Sequence, residues 1–168
     1  SSTGAPCILG QSAGKLKLTC SGINALTDTA AAVNADTSGV IYGDCDITVT
    51  KNSTGTLNIT SSMNTAIRSK DDIKLNGGDI SINTDVDATS DADAIRANNT
   101  LEIDGASVTV TSSADGLKSS KEDVSILSGK VSIKAGNDAV QAATALNISG
   151  GTMTASGDRG FTLDENGV

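Results

Sequence analysis

The sequence predicts an all-β protein: a single right-handed parallel β-helix of about six coils, each of ~22–28 residues carrying three short strands. Three observations point there. A unit of similar length recurs along the chain, apolar residues inside each unit alternate at the strand period, and aromatic side chains are almost absent. Only Tyr42 and Phe161 are aromatic in 168 residues, and there is no Trp. A sandwich or helical domain of this size uses several aromatics for the area each buries. Stacked ladders of small aliphatics do not need them. With 18 Gly and one Pro, the turns rest on Gly, Asn and Asp.

Residues 1–15 read as an N-terminal extension and residues 16–168 as the β-helix domain. Leu16-Lys17-Leu18 with Ile23 matches Val40-Ile41-Tyr42 with Ile47 at a shift of 24, and Asn52 to Met63 adds a longer excursion around Leu57-Asn58-Ile59. Four clear units follow. They open at Ala66-Ile67-Arg68-Ser69, Ala94-Ile95-Arg96-Ala97, Gly116-Leu117-Lys118-Ser119 and Ala139-Val140-Gln141-Ala142, and a fifth begins at Gly160-Phe161-Thr162-Leu163. Their anchors Ile67, Ile95, Leu117, Val140 and Phe161 are spaced 28, 22, 23 and 21 residues apart. Inside each unit a constant five-residue interval, as from Leu75 to Ile80 and from Ile148 to Met153, holds Gly or another small residue, so one turn shape is expected throughout.

Stacked coils would pair equivalent strands into three parallel sheets. The inward ladders expected are Ile67/Ile95/Leu117/Val140, Leu75/Ile103/Ile126/Ile148 and Ile80/Val108/Val131/Met153. Ordering one residue costs about 1–2 kcal/mol of backbone entropy, and each buried aliphatic returns only about 1.5–3 kcal/mol. An isolated coil is therefore unstable, and only the stack holds.

The phrases Ala66-Ile67-Arg68-Ser69-Lys70-Asp71-Asp72-Ile73, Asp115-Gly116-Leu117-Lys118-Ser119 and Leu146-Asn147-Ile148-Ser149-Gly150-Gly151-Thr152 resemble the repeat of the secreted β-helical carbohydrate-binding domains of cellulose- and pectin-degrading bacteria. The likeness runs from about Leu16 to Leu163. It implies a shape similar to pectate lyases, bound calcium, and binding of acidic plant polysaccharide such as polygalacturonate without cleavage. The three cysteines, the N-terminal extension and the incomplete last coil depart from the family's pattern.

A net charge of −8 repels nucleic acid and anionic lipid at long range, and no apolar run reaches the ~18–20 residues of a membrane span. The expected setting is extracellular. Asp93, Asp115 and Asp138 each precede the small residue that opens a coil, so they should stack one strand spacing (~4.8 Å) apart. The long corner before Asp93 adds Asp85, Asp87 and Asp91. Carboxylates at that spacing repel unless neutralised, and calcium takes six to eight such oxygens. The alternative is ordinary turn aspartates bonding their own backbone. A second row, Arg68/Arg96/Lys118/Gln141, should point outward beside that corner. It would grip the carboxylates of an acidic glycan, or form a solvated face paired with its Asp neighbours.

The chain has no His, which removes the commonest acid–base residue, so a non-catalytic module is expected ahead of a pectate-lyase-like enzyme. Both aromatics fall where they should face inward, leaving charge, metal and hydrogen bonds to hold a sugar. An outward row of Ser81, Thr109, Ser132 and Thr154, continued by Thr48, also suits an ice-binding face, though Asp79, Lys130 and Lys134 interrupt it. Cys20 and Cys45 fall one position apart at one corner when Leu18 is aligned with Tyr42, which allows a disulfide or two buried thiols and leaves Cys7 over. The main rival function is structural. Open β-helix ends are unpaired sheet edges, so copies could stack end to end into a filament or surface layer.

Overall fold

The alternating aliphatics form strands throughout. A computed structural model describes residues 5–11, 14–29, 38–84 and 92–163, and among these there are strands and turns but no helix, hence none long and apolar enough to cross a membrane. Seven strands make the first sheet: β1 (Ile8–Gly10), β4 (Ile41–Gly43), β7 (Ile67–Ser69), β10 (Ile95–Ala97), β12 (Leu117–Ser119), β14 (Asp138–Ala142) and β17 (Arg159–Leu163), hydrogen-bonded in that order. The other ten form the second: β2 (Lys15–Leu18), β3 (Ile23–Asp28), β5 (Asp46–Val49), β6 (Thr56–Ser61), β8 (Ile73–Leu75), β9 (Asp79–Asn83), β11 (Leu101–Ser112), β13 (Val124–Ala135), β15 (Leu146–Ile148) and β16 (Thr152–Ser156). All the pairings are parallel.

All three expected ladders are present and extend further upstream. The first runs Ile8, Ile41, Ile67, Ile95, Leu117, Val140, Phe161. The second runs Leu18, Val49, Leu75, Ile103, Ile126, Ile148. The third runs Leu57, Ile80, Val108, Val131, Met153. Their middle rungs are buried and form one continuous core. On the last described strands Ile148 and Phe161 are half exposed.

Two sheets stand where three were expected. In β11 and β13 the second and third stretches of the repeat run on as one strand of 12 residues, which joins the two walls. Register slips between Ile103 and Asp104 and between Asp104 and Ser107 mark a bulge at that corner. Gly105 and Gly129 turn it with φ of 107° and 102°, a region that side-chain-bearing residues avoid. A Cβ on Gly129 would also lie 2.2 Å from the Ala106 carbonyl oxygen.

The upstream alignment needs correcting. Leu18 pairs with Val49 and Leu16 with Ile47, while Ile8 pairs with Ile41, so the first repeat is longer than the shift of 24 allowed. Ile8–Gly10, inside the stretch expected to be an extension, is the edge strand of the first sheet and raises its count to seven. The Cys20–Cys45 disulfide falls with the alignment. Cys20 sits at the corner between β2 and β3, where its backbone bonds Ser53, Thr54 and Gly55, whereas Cys45 lies between β4 and β5. Cys7, Cys20 and Cys45 are free thiols. Thr48 pairs with Lys74, so the Ser81/Thr109/Ser132/Thr154 row continues instead to Asn58. Tyr42 is buried but belongs to the outer row of the first sheet, level with Arg68.

Candidate functional site

Two charged columns run along one border of the first sheet, and the fold ties them to each other. Asp93, Asp115 and Asp138 stack at the turn that enters β10, β12 and β14, with exposures of 5%, 2% and 0%. The Asp115 N–H donates to Asp93 Oδ1 (3.2 Å), and the Asp138 N–H donates to Asp115 Oδ1 (3.1 Å). Each carboxylate therefore clamps the next repeat by a bond outside the strand ladder. Asp85, Asp87 and Asp91 lie outside the described residues.

The column's charge is met by the protein's own cations. Arg96 Nη1 lies 3.6 Å from Asp93 Oδ2, and Lys118 Nζ lies 2.7 Å from Asp115 Oδ2. Gln141 takes the next place in the basic row, and Asp138 is served from the following repeat by Arg159 Nε (2.8 Å) and the Thr162 hydroxyl (2.9 Å). Within this seam only Asp138 Oδ2 and Gln141 Oε1 are buried without a partner among the described residues.

Burial pushes the Asp93 carboxyl up to about 6 from 3.8; Lys118 opposes that shift, Asp115 adds to it and Arg96 opposes it. The folded chain thus holds a proton that an unfolded carboxyl would lose at lower pH. Asp93 favours folding as pH falls through about 6 and disfavours it above.

Arg68 and Arg96 occupy paired positions on β7 and β10. They line a depression of about 250 Å³ together with Ser69, Lys70, Asn98 and Ser120. Arg68 is half-buried and donates from Nη1 to the Ser38 hydroxyl; burial first, then the Arg96 charge, lowers it from its ordinary value. Arg96 Nε donates to Ser120 Oγ at 3.3 Å. Lys70 lies 3.0 Å from Asp44 and 5.8 Å from the Tyr42 ring centroid, and the Tyr42 hydroxyl donates to Asp44 at 2.8 Å. Of the outward row expected to bind ligand, Arg68 and Arg96 reach this depression. Lys118 turns to Asp115, and Gln141 is buried.

Sequence reasoning passed over Lys70, although it stands two positions after Arg68 and so shares its side of the strand. It also passed over a second acidic group. Asp46, Asp71 and Asp72 place one carboxylate oxygen each within 4.8 Å of one another at the corner following Lys70. Lys15 holds Asp46 at 2.6 Å, which lowers the Asp46 carboxyl from its usual value. The signal was the Asp71-Asp72 pair, with Asp46 concealed by the mistaken upstream shift. These oxygen-only, partly exposed donors are of the type calcium accepts.

One family model, described as carbohydrate-binding domain-containing protein, matches residues 1–166. Comparison with curated proteins and with solved structures gave no significant match.

Proposed function

The chain belongs to the family of carbohydrate-binding domain-containing proteins, and we propose that it is an extracellular, non-catalytic module that binds acidic polysaccharide at the Arg68–Arg96 depression. One observation carries this reading. A chain of net charge −8 gathers Arg68, Lys70 and Arg96 around one hollow whose remaining lining, Ser69, Asn98 and Ser120, is all hydrogen-bonding groups. Guanidinium groups bind carboxylates through paired, planar hydrogen bonds, and hydroxyl and amide groups suit sugar hydroxyls. The reading takes the two sheets as walls of one right-handed parallel β-helix, the hand that parallel crossovers favour.

Calcium assists in this reading, held by Asp46, Asp71 and Asp72. It would add positive charge at the corner that follows Lys70, where uronate carboxylates would otherwise meet acidic surface. No reaction is assigned to the module, which has no His to act as acid or base.

Affinity electrophoresis on polygalacturonate, with and without chelator, tests the proposal. The wild-type chain should be retarded, less so with chelator. Arg68→Ala or Arg96→Ala should weaken retention by about tenfold each, the loss of one charge-assisted bond of roughly 1.5 kcal/mol. No retardation under either condition would end the reading, as would an unsaturated, ultraviolet-absorbing product for the assignment as non-catalytic. A structural role by end-to-end stacking is the second reading, favoured by the half-exposed Ile148, Phe161 and Leu163 of the last rung.

A further inference from the structure

We propose that the Arg68–Arg96 hollow takes a single uronate carboxylate, seated on Arg68, so that an acidic glycan is recognised by one charge and not by a run of consecutive uronates. This rests on the binding function proposed above and names the unit it recognises. The ion pairs around the hollow carry it. Of the cations that line it, two are already matched: Lys70 lies 3.0 Å from Asp44, and Arg96 lies 3.6 Å from Asp93. Arg68 has no carboxylate at ion-pair distance among the described residues, and its Nη1 donates to the neutral Ser38 hydroxyl. One positive charge is therefore left over, on a half-buried guanidinium that burial first, then the Arg96 charge, lowers from its ordinary value. A carboxylate arriving there is the close counter-charge that Arg68 lacks.

The hollow is also short. Arg68 and Arg96 are neighbours in the outer row of the first sheet, which continues as Tyr42 on one side and as Lys118 and Gln141 on the other. Tyr42 and Gln141 are buried, and Lys118 is turned to Asp115 at 2.7 Å. At the Tyr42 end the backbone lies over the row: a Cβ on Gly39 would sit 3.2 Å from the Arg68 Cβ and 3.4 Å from the Tyr42 Cβ. The space between, about 250 Å³, is below the ~300–1,000 Å³ of pockets that enclose drug-sized ligands, and suits one sugar residue. A second carboxylate on the same chain would lie beside Asp44 or Asp93, whose charges repel it.

The test is calorimetric titration at pH 7.5 in chelator, which removes any help from calcium. Three ligands share one backbone: trigalacturonate, the trimer with all but one carboxylate methyl-esterified, and the fully esterified trimer. Trigalacturonate should bind within about threefold of the one-acid trimer, the margin its extra registers allow, and the neutral trimer about tenfold or more weaker. Asp44→Asn keeps an acceptor for the Tyr42 hydroxyl while releasing Lys70, so it should tighten trigalacturonate more than the one-acid trimer. A wild-type preference of about tenfold or more for trigalacturonate over the one-acid trimer would overturn the inference. So would an equal gain for both in Asp44→Asn, or a neutral trimer that binds as well as the acids; each leaves carbohydrate binding standing. Failure of all three trimers to bind would remove the binding function and this inference together.

Discussion

Asp115 and Lys118 show what the charged seam costs when it is broken. Both are largely enclosed, with side-chain exposures of 2% and 14%, and they meet at 2.7 Å. Lys118→Ala would leave Asp115 buried without its cation, a change worth about 3 kcal/mol or more. Urea unfolding should show that loss as a lower midpoint at unchanged slope. The double variant Lys118→Ala with Asp115→Asn should recover part of it. At this scale the sequence was half legible. The rule that equivalent residues stack located Asp93, Asp115 and Asp138 correctly. It left open whether the basic row would grip a glycan or pair with its Asp neighbours, because strand alternation alone sends positions three apart to opposite faces. The bend at the small residue between them reverses that expectation.

The corner between the second and third stretches of the repeat is where the strands depart most from the simple pattern. Gly129 has a φ of 102° and passes so close to Ala106 that no side chain fits. Gly129→Ala should destabilise the fold by about 2–3 kcal/mol or more, since strain and clash add; thermal unfolding monitored by far-ultraviolet circular dichroism would register it. The constant five-residue interval disclosed the turn, and the small residues disclosed its tightness. Whether the strand breaks there, as between β8 and β9, or continues through, as in β11 and β13, depends on local register slips. A period-two pattern on both sides of a glycine reads the same in either case, so the merger of two sheets was not visible in the chain. The upstream misalignment has a similar origin: short Leu-Lys-Leu-like triplets match more than one neighbour, and only the hydrogen-bonded register chose Val49 for Leu18.

At the scale of the molecule, the last described strands carry exposed apolar side chains. The last rung presents Ile148, Phe161 and Leu163 at exposures of 51%, 53% and 63%, where their counterparts one rung earlier are covered. Parallel strands with one free edge accept another strand in the same register, so a head-to-tail contact would build an open chain of copies rather than a closed ring. The end-to-end stacking reading requires concentration-dependent growth of the wild-type chain in light scattering, with Phe161→Asp and Leu163→Asp together keeping it monomeric. Mass that stays constant with concentration would dismiss stacking. The ladders of Ile, Val and Leu were the most legible feature, since they follow from the four clear repeats, while the number of sheets was not.

The enclosed pairing of Asp115 with Lys118 has a practical corollary in brine. Enclosed ion pairs are shielded from dissolved electrolyte, whereas contacts in an open hollow weaken as the Debye length shrinks from about 10 Å at 0.1 M to about 3 Å at 1 M. On the proposed reading, concentrated sodium chloride would release a polyanion from the Arg68–Arg96 hollow while the Asp115–Lys118 pair behind it held.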